Sequence, residues 1–282
     1  MKYHVLYNPY AGNNTGKKET EALSGILPGD ELVFCDMTRL RSYSEFFAGI
    51  APEDRVIISG GDGTLNRFIN ETVDCAIKNS IYYFAAGSGN DFLRDIGEEK
   101  GKVICIDKYI KDLPTATVKG KTYRVLNGVG YGIDGYCCEV GDELRKIPGK
   151  KINYTAIAIK GLLFHFKPKN ATVTVDGVTQ SYKKVWLAPT MNGRFYGGGM
   201  IPTPDQDRLA SPKTLSTLIY HNCGPLRALI VFPSIFKGEH VKKTKMCRVL
   251  TGKEIHIRFD KPCALQVDGE TILDVTEYTI KA

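Results

Sequence analysis

The sequence predicts an α/β N-terminal domain over residues 1–120 followed by an antiparallel β-rich C-terminal domain over residues 121–282. The N-terminal assignment rests on alternation. Strand-like runs at 3–7, 31–35, 55–59, 81–85 and 103–106 are mostly followed by helix-like segments, the pattern of a parallel or mostly parallel sheet covered by helices. From about residue 115 the grammar changes to strands and tight turns. Thr172 to Val178 reads as a hairpin with an Asp176-Gly177 turn, and Ile255, Ile257 and Phe259 alternate with His256 and Arg258. Two helical interruptions are expected in this half, over 153–166 and 225–236. With 282 residues, 43% of them apolar, the chain can bury a substantial core in two medium domains.

The stretch from Val56 to Asn66 organises the first domain. Val56, Ile57 and Ile58 form a branched apolar run suited to a strand buried on both faces, and Gly60, Gly61 and Gly63 break it. Leu65, Phe68, Ile69, Val73 and Ala76 then follow at helical spacing. Glycines let a backbone approach a ligand closely, and the helix N-terminus after them presents free N–H groups to an anion. Phosphate suits such a turn. Asp62 would repel a bare phosphate unless a divalent cation or a proton transfer makes the carboxylate useful, so a metal-bound nucleotide fits better. Taken alone, the turn is equally consistent with Asp62 as an ordinary helix cap.

Bulk properties narrow the classes. No apolar run approaches the roughly 18 residues of a membrane-spanning helix, and the N-terminus enters a strand-like segment at once, so a cytoplasmic protein is expected. Eight scattered cysteines without Cys-x-x-Cys spacing suggest reduced thiols and no zinc site. The net charge of +7 is uneven: residues 1–120 carry 14 Lys/Arg against 17 Asp/Glu, and residues 121–282 carry 24 against 14. The basic residues are dispersed and show no nucleic-acid-binding motif, so no nucleic acid partner is expected. An anionic bilayer surface is an alternative, and so is a solvated surface without a dedicated partner.

Other loops follow strand ends, where ligands gather in such sheets. Asn8-Pro9-Tyr10-Ala11-Gly12 follows the first strand, Thr38 the second, and Gly87-Ser88-Gly89-Asn90-Asp91-Phe92 the fourth. Each reads as an ordinary turn or cap when taken alone. Together with Gly60-Gly61-Asp62-Gly63-Thr64 they resemble the diacylglycerol kinase and lipid kinase family, related to sphingosine kinases and more distantly to NAD kinases. The resemblance implies that Asn8, Pro9, Gly12, Thr38, Gly60, Gly61, Asp62, Gly63, Thr64, Asn66, Gly87, Ser88, Asn90 and Asp91 hold a nucleotide, with serine at 88 in place of the family's threonine. NAD kinases instead carry a Thr-Pro-Thr-Gly-Ser segment in their second domain, and this chain has none.

The resemblance continues through 127–134, 192–199 and 236–240 to Asp268-Gly269-Glu270. It implies a β-sandwich-like second domain, an active site in a cleft between the domains, and an acidic turn supplying a general base. Glu270 is favoured as that base, with Asp268 orienting it or engaging a water-bound magnesium together with Asp62, and with Asp134 as a further member of the acidic network. From the residues alone, Asp268-Gly269 is indistinguishable from a second hairpin turn like Asp176-Gly177. Two positions depart from the family: Arg67 stands where glutamate is usual, and Ser211-Pro212 replaces an Asp-Gly pair associated with a structural metal, although Asp205 and Asp207 lie just upstream. The implied activity is ATP- and Mg²⁺-dependent phosphorylation of a lipid hydroxyl, with diacylglycerol converted to phosphatidic acid in phospholipid biosynthesis at an anionic membrane surface. Alternatives are another lipid acceptor (a sphingoid base or phosphatidylglycerol), an NAD kinase-like enzyme, or a non-catalytic binding homologue. The sequence leaves the oligomeric state, including a homodimer, open.

Overall fold

Parallel pairing of β1 (Lys2–Tyr7) with its neighbours on both sides begins the first sheet of the computed structural model, which describes residues 1–87, 90–147 and 152–282, apart from the Asn13 side chain. The chain divides into two units, Met1–Leu113 and Pro114–Ala282. In the first, β1 is followed by α1 (Ala11–Asn14), α2 (Gly16–Glu21) and α3 (Leu23–Ile26). Then come β2 (Glu31–Asp36), a 3-10 turn (Met37–Arg39), α4 (Tyr43–Ala48), β3 (Arg55–Gly60), α5 (Asp62–Glu71), β4 (Ile81–Ala85), α6 (Asp91–Asp95), β5 (Val103–Cys105) and α7 (Asp107–Ile110). The sheet order is β2-β1-β3-β4-β5, parallel except for the antiparallel β4–β5 pair.

Val56, Ile57 and Ile58 are wholly buried, as a strand covered on both faces requires, and Leu65, Phe68 and Ile69 turn the apolar stripe of α5 inward. The helix ends earlier than the apolar spacing suggests. The Thr72 hydroxyl donates to the Phe68 carbonyl at 2.7 Å, closing the last turn, and Val73 and Ala76 are exposed beyond it.

The second unit contains β6 (Thr115–Val118), β7 (Lys121–Arg124), β8 (Gly128–Tyr131), α8 (Ile133–Arg145), α9 (Tyr154–Lys160) and a π-helical turn (Gly161–His165). It continues through β9 (Lys169–Val175), β10 (Val178–Val185), β11 (Thr190–Met191), β12 (Leu215–Tyr220), α10 (Pro225–Val231) and two 3-10 segments (Phe232–Lys237, Glu239–Lys242). It ends in β13 (Cys247–Gly252), β14 (Glu254–Val267) and β15 (Glu270–Lys281). All pairings in its ten-stranded sheet are antiparallel, and β6 belongs to this unit because it pairs with β15.

Inward residues alternate along β14, where Ile255, Ile257 and Phe259 are buried and Arg258 is exposed. Tyr131 stacks on Phe259 with ring centroids 3.9 Å apart at the centre of this core. A second apolar cluster, including Ile133, Leu162, Trp186 and Leu218, lies under α8, α9 and α10. Both expected helical interruptions form, each switching to a different helical geometry partway: a π-turn from Gly161 and a 3-10 segment from Phe232. All eight cysteines are free, and no helix among the described residues is long and apolar enough to cross a membrane.

Candidate active site

In the first unit the sheet order places a switch point between β1 and β3, because the chain leaves β1 towards β2 on one side and continues through β3 on the other. Asn8 follows β1 and Thr64 follows β3. Their side chains meet there, the Asn8 side-chain NH2 donating to the Thr64 hydroxyl at 3.2 Å, while the Asn8 side-chain oxygen accepts from the Tyr10 N–H at 3.0 Å. Pro9 lies between them, half-buried. Gly12 adopts a left-handed φ of 59°, and a Cβ there would stand 2.7 Å from the Thr15 hydroxyl and 3.2 Å from the Ala86 carbonyl.

Asp62 has a more definite task than the glycine turn alone suggests. Its carboxylate reaches across to the opening of α6 and accepts from the N–H groups of Asp91 at 2.7 Å and Phe92 at 3.3 Å. One glycine-rich turn is thereby fastened to the other. The contact is also tight along the backbone: a Cβ on Gly87 would lie 2.6 Å from the Gly61 Cα. By contrast nothing lies within 4 Å of where a Cβ on Gly63 would stand, so the first turn of α5 is open on that side. Asn90 donates to the Gly87 carbonyl at 3.1 Å, and its own side-chain oxygen is buried without a hydrogen-bond partner among the described residues. Ser88 lies outside the described residues.

Three residues occupy other settings. Thr38 is exposed, with its N–H and hydroxyl both donating to Asp36 at 2.9 and 2.7 Å, so Asp36 is the cap of this turn. Asn66 is buried on the inner side of α5 and accepts from Asn70 at 2.9 Å. Arg67 points along the helix surface and pairs with Glu71 at 2.7 Å. Breaking such an exposed i,i+4 pair costs about 0.3–0.5 kcal/mol, so Arg67→Gln should leave turnover within about twofold and stability within about 0.5 kcal/mol, as read by initial rates and urea unfolding. A large loss of turnover would show that the Arg67 charge serves the nucleotide.

The second unit carries its own polar cluster. Asp268 and Gly269 have φ values of 47° and 94° and link paired Val267 and Glu270, so Asp268-Gly269-Glu270 contains a two-residue hairpin turn. The Asp268 carboxylate accepts from the N–H groups of Leu126, Asn127 and Gly128 at 2.6, 2.7 and 3.0 Å. The Asp176-Gly177 turn uses the same device, its carboxylate accepting from the N–H groups of Lys253 and Glu254 at 2.9 and 2.8 Å. Both aspartates hold a turn to a neighbouring strand. Arg208, buried, extends the hold on Asp268 by donating to the Leu126 carbonyl at 3.3 Å and the Asn127 side chain at 3.0 Å. Burial pushes the Asp268 carboxyl up to about 6, against the lowering effect of the three amides and of Arg208.

Glu270, two residues further on, is exposed, and its side chain makes no hydrogen bond or ion pair among the described residues. Asp134, half-buried in the first turn of α8, accepts from the Gln266 amide at 2.8 Å, and the Gln266 oxygen accepts from the Gly269 N–H at 2.6 Å. Asp134 is thus tied through Gln266 to the glycine between Asp268 and Glu270. Its carboxylate fills the space left by Gly130, where a Cβ would fall 1.5 Å from the Asp134 Oδ2. Burial raises its pKa to about 6, partly offset by the Gln266 hydrogen bond. Arg208 carried no signal in the sequence. Its partners lie 81 and 82 residues away, and a lone arginine in a loop is unremarkable before folding.

Asp205 and Asp207 line a cavity of about 530 Å³ in the second unit, and the Asp207 carboxylate accepts from the Leu209 N–H at 2.9 Å. No group of three or more His, Cys, Asp or Glu side chains among the described residues could hold a metal ion. Asp62, half-exposed, could add one carboxylate to a divalent cation carried in with nucleotide phosphates and water.

Residues 2–120 match the diacylglycerol kinase catalytic domain, and residues 127–279, more than half of the chain, match the YegS C-terminal NAD kinase β-sandwich-like domain. The candidate lipid kinase YtlR of Bacillus subtilis is 26% identical over 80% of this chain and 76% of its own length. A diacylglycerol kinase of Mycobacterium tuberculosis is 26% identical over 72% of this chain and 66% of its own length. A crystal structure of a candidate diacylglycerol kinase from Bacillus anthracis shares the fold, with a TM-score of 0.68 at 19% identity over 99% of this chain and 91% of that one. The chain belongs to the diacylglycerol kinase family and is a lipid kinase, a phosphotransferase with an alcohol group as acceptor.

Proposed function

We propose that this lipid kinase moves the γ-phosphoryl group of ATP to the free hydroxyl of diacylglycerol, giving phosphatidic acid at an anionic membrane surface. The observation that carries the nucleotide half is the fastening of two glycine-rich turns by Asp62 at the carboxyl ends of β3 and β4. Phosphoryl transfer asks a protein mainly to position the phosphates and to neutralise charge. The Gly60–Thr64 turn supplies first-turn amides of α5 for phosphate oxygens, and Asn8 and Thr64 fix the neighbouring loop beside them. Magnesium, carried by the nucleotide, would neutralise the charge spread over the transferring group.

At the acceptor the hydroxyl proton needs a base. Glu270 is the carboxylate of the Asp-Gly-Glu turn left open to take it, since Asp268 is occupied by three backbone amides. Asp134 supports a second assignment, because a carboxyl raised to about 6 is ionised at neutral pH yet basic enough to accept a proton. For the acceptor's identity the support is the name of the M. tuberculosis relative at 26% identity. The test is transfer of label from γ-³²P-ATP to diacylglycerol, a sphingoid base and phosphatidylglycerol in mixed micelles, with and without Mg²⁺. Labelled phosphatidic acid as the main, Mg²⁺-dependent product is expected, and preferential labelling of another lipid would replace the acceptor.

A further inference from the structure

The exposed apolar side chains of the second unit are not evenly spread. Six of the eleven large ones among the described residues of this unit, Tyr154, Ile159, Phe164, Leu226, Ile230 and Phe236, fall within residues 152–169 and 223–238. These two stretches are packed together, α10 lying against the π-turn that continues α9. The π-turn sorts its residues: Leu162 within it and Phe166 just after it are buried in the core at 1% and 7% exposure, while Phe164 between them is 75% exposed.

The charge on the same two stretches is of one sign. They contain Lys160, Lys167, Lys169, Arg227 and Lys237 and not one Asp or Glu. All five cations except Lys169 are exposed, and Lys169 sits over the Phe166 ring at 4.5 Å. Apolar side chains beside basic ones, without acidic residues, complement a surface that offers hydrocarbon beneath an anionic headgroup layer. A solvated basic surface does not require exposed Phe164, Leu226 and Ile230.

We propose that the α9, π-turn and α10 ledge is the surface by which this protein docks on anionic bilayers, with Phe164, Leu226 and Ile230 entering the interface and the flanking lysines and arginine meeting the headgroups. This deepens the reading of the protein as a lipid kinase and rests on it for the purpose of docking, while the contact itself is measurable without catalysis. Each apolar side chain that leaves water on docking contributes about tenfold to the partition, and each cation near the surface about fivefold.

The experiment is vesicle co-sedimentation of the full chain with phosphatidylglycerol-containing and pure phosphatidylcholine vesicles at two salt concentrations. Transfer to a water-soluble short-chain diacylglycerol is measured alongside. The Phe164→Ser/Ile230→Ser variant should bind anionic vesicles about a hundredfold more weakly, because two interfacial side chains are removed. Its thermal unfolding and its turnover of the short-chain substrate should stay unchanged. A control variant, Val178→Ser/Leu273→Ser, removes side chains that are 64% and 51% exposed elsewhere on the unit and should bind as the wild type does. Wild-type vesicle binding by the ledge variant, an equal loss in the control, or a wild type that does not sediment with vesicles would each overturn the proposal. So would a dimer in solution that the ledge variant dissolves while neither protein binds vesicles, since the ledge would then be a contact between copies. If vesicle binding is lost as expected but the wild type phosphorylates no lipid, the docking surface stands and the catalytic reading fails.

Discussion

Asp62→Ala is expected to slow phosphoryl transfer by roughly 10²-fold or more and also to lower the melting temperature of the protein. The two effects have one origin. The carboxylate accepts from the N–H groups of Asp91 and Phe92, so its loss uncaps α6 and frees the Gly87 turn from the Gly60–Thr64 turn. Losing such a cap costs about 0.5–2 kcal/mol, which lowers the melting temperature by several degrees in a unit of this size. On the proposed reading the kinetic loss follows because both turns would meet phosphate oxygens in a fixed relation. Asp62→Asn keeps one acceptor oxygen but turns an N–H towards an amide that needs an acceptor, so an intermediate loss is expected. Steady-state kcat, KM for ATP and a Mg²⁺ titration, with thermal unfolding of each variant, separate holding from metal contact. A holding role raises KM for ATP at unchanged Mg²⁺ dependence, whereas a metal contact shifts the Mg²⁺ requirement. A folded Asp62→Ala enzyme with wild-type turnover would remove Asp62 from the site altogether.

Local signals were the legible ones. Val56-Ile57-Ile58 reads as a buried strand because branched apolar runs have few other uses, and the glycines after it end the strand wherever they occur. The destination of the Asp62 side chain was hidden. Its partners are 29 and 30 residues away and are backbone groups, which carry no sequence signature. The same holds for Asp268, whose three amide partners lie 140 to 142 residues upstream. An Asp-Gly turn looks alike at 176 and at 268. What separates them is the buried Arg208 beneath one and the Gln266–Asp134 link beside it, both set by tertiary packing. Arg67 is a converse case: it departs from the family's usual glutamate, and the structure turns it along the outside of α5 to Glu71.

Of the three carboxylates in the second cluster, Asp268 is expected to matter first for folding, Glu270 for turnover and Asp134 for pH dependence. Asp268→Asn would place an amide donor against the donors of Leu126, Asn127 or Gly128, and an unsatisfied buried donor costs about 1–3 kcal/mol. This variant should unfold at lower urea whatever its kinetics. Glu270→Gln disturbs no hydrogen bond among the described residues, so it should fold as the wild type while losing most of kcat with little change in KM for ATP. Asp134 has a different signature because its pKa in the folded protein is about 6. That lies above the roughly 3.9 of an unfolded chain, so the folded state binds its proton more tightly. This contribution to stability is present below about pH 4 and is lost as pH rises through about 6. Asp134→Asn can keep the Gln266 hydrogen bond through its amide oxygen. It should therefore match the wild type near pH 4 and be about 1–3 kcal/mol more stable near pH 8, measured by urea unfolding at the two pH values. If the ionised carboxylate is needed for turnover, the wild type shows a rising limb in kcat near pH 6 that Asp134→Asn abolishes. Wild-type kcat in Glu270→Gln, together with loss of both kcat and the limb in Asp134→Asn, would move the proton acceptor from Glu270 to Asp134.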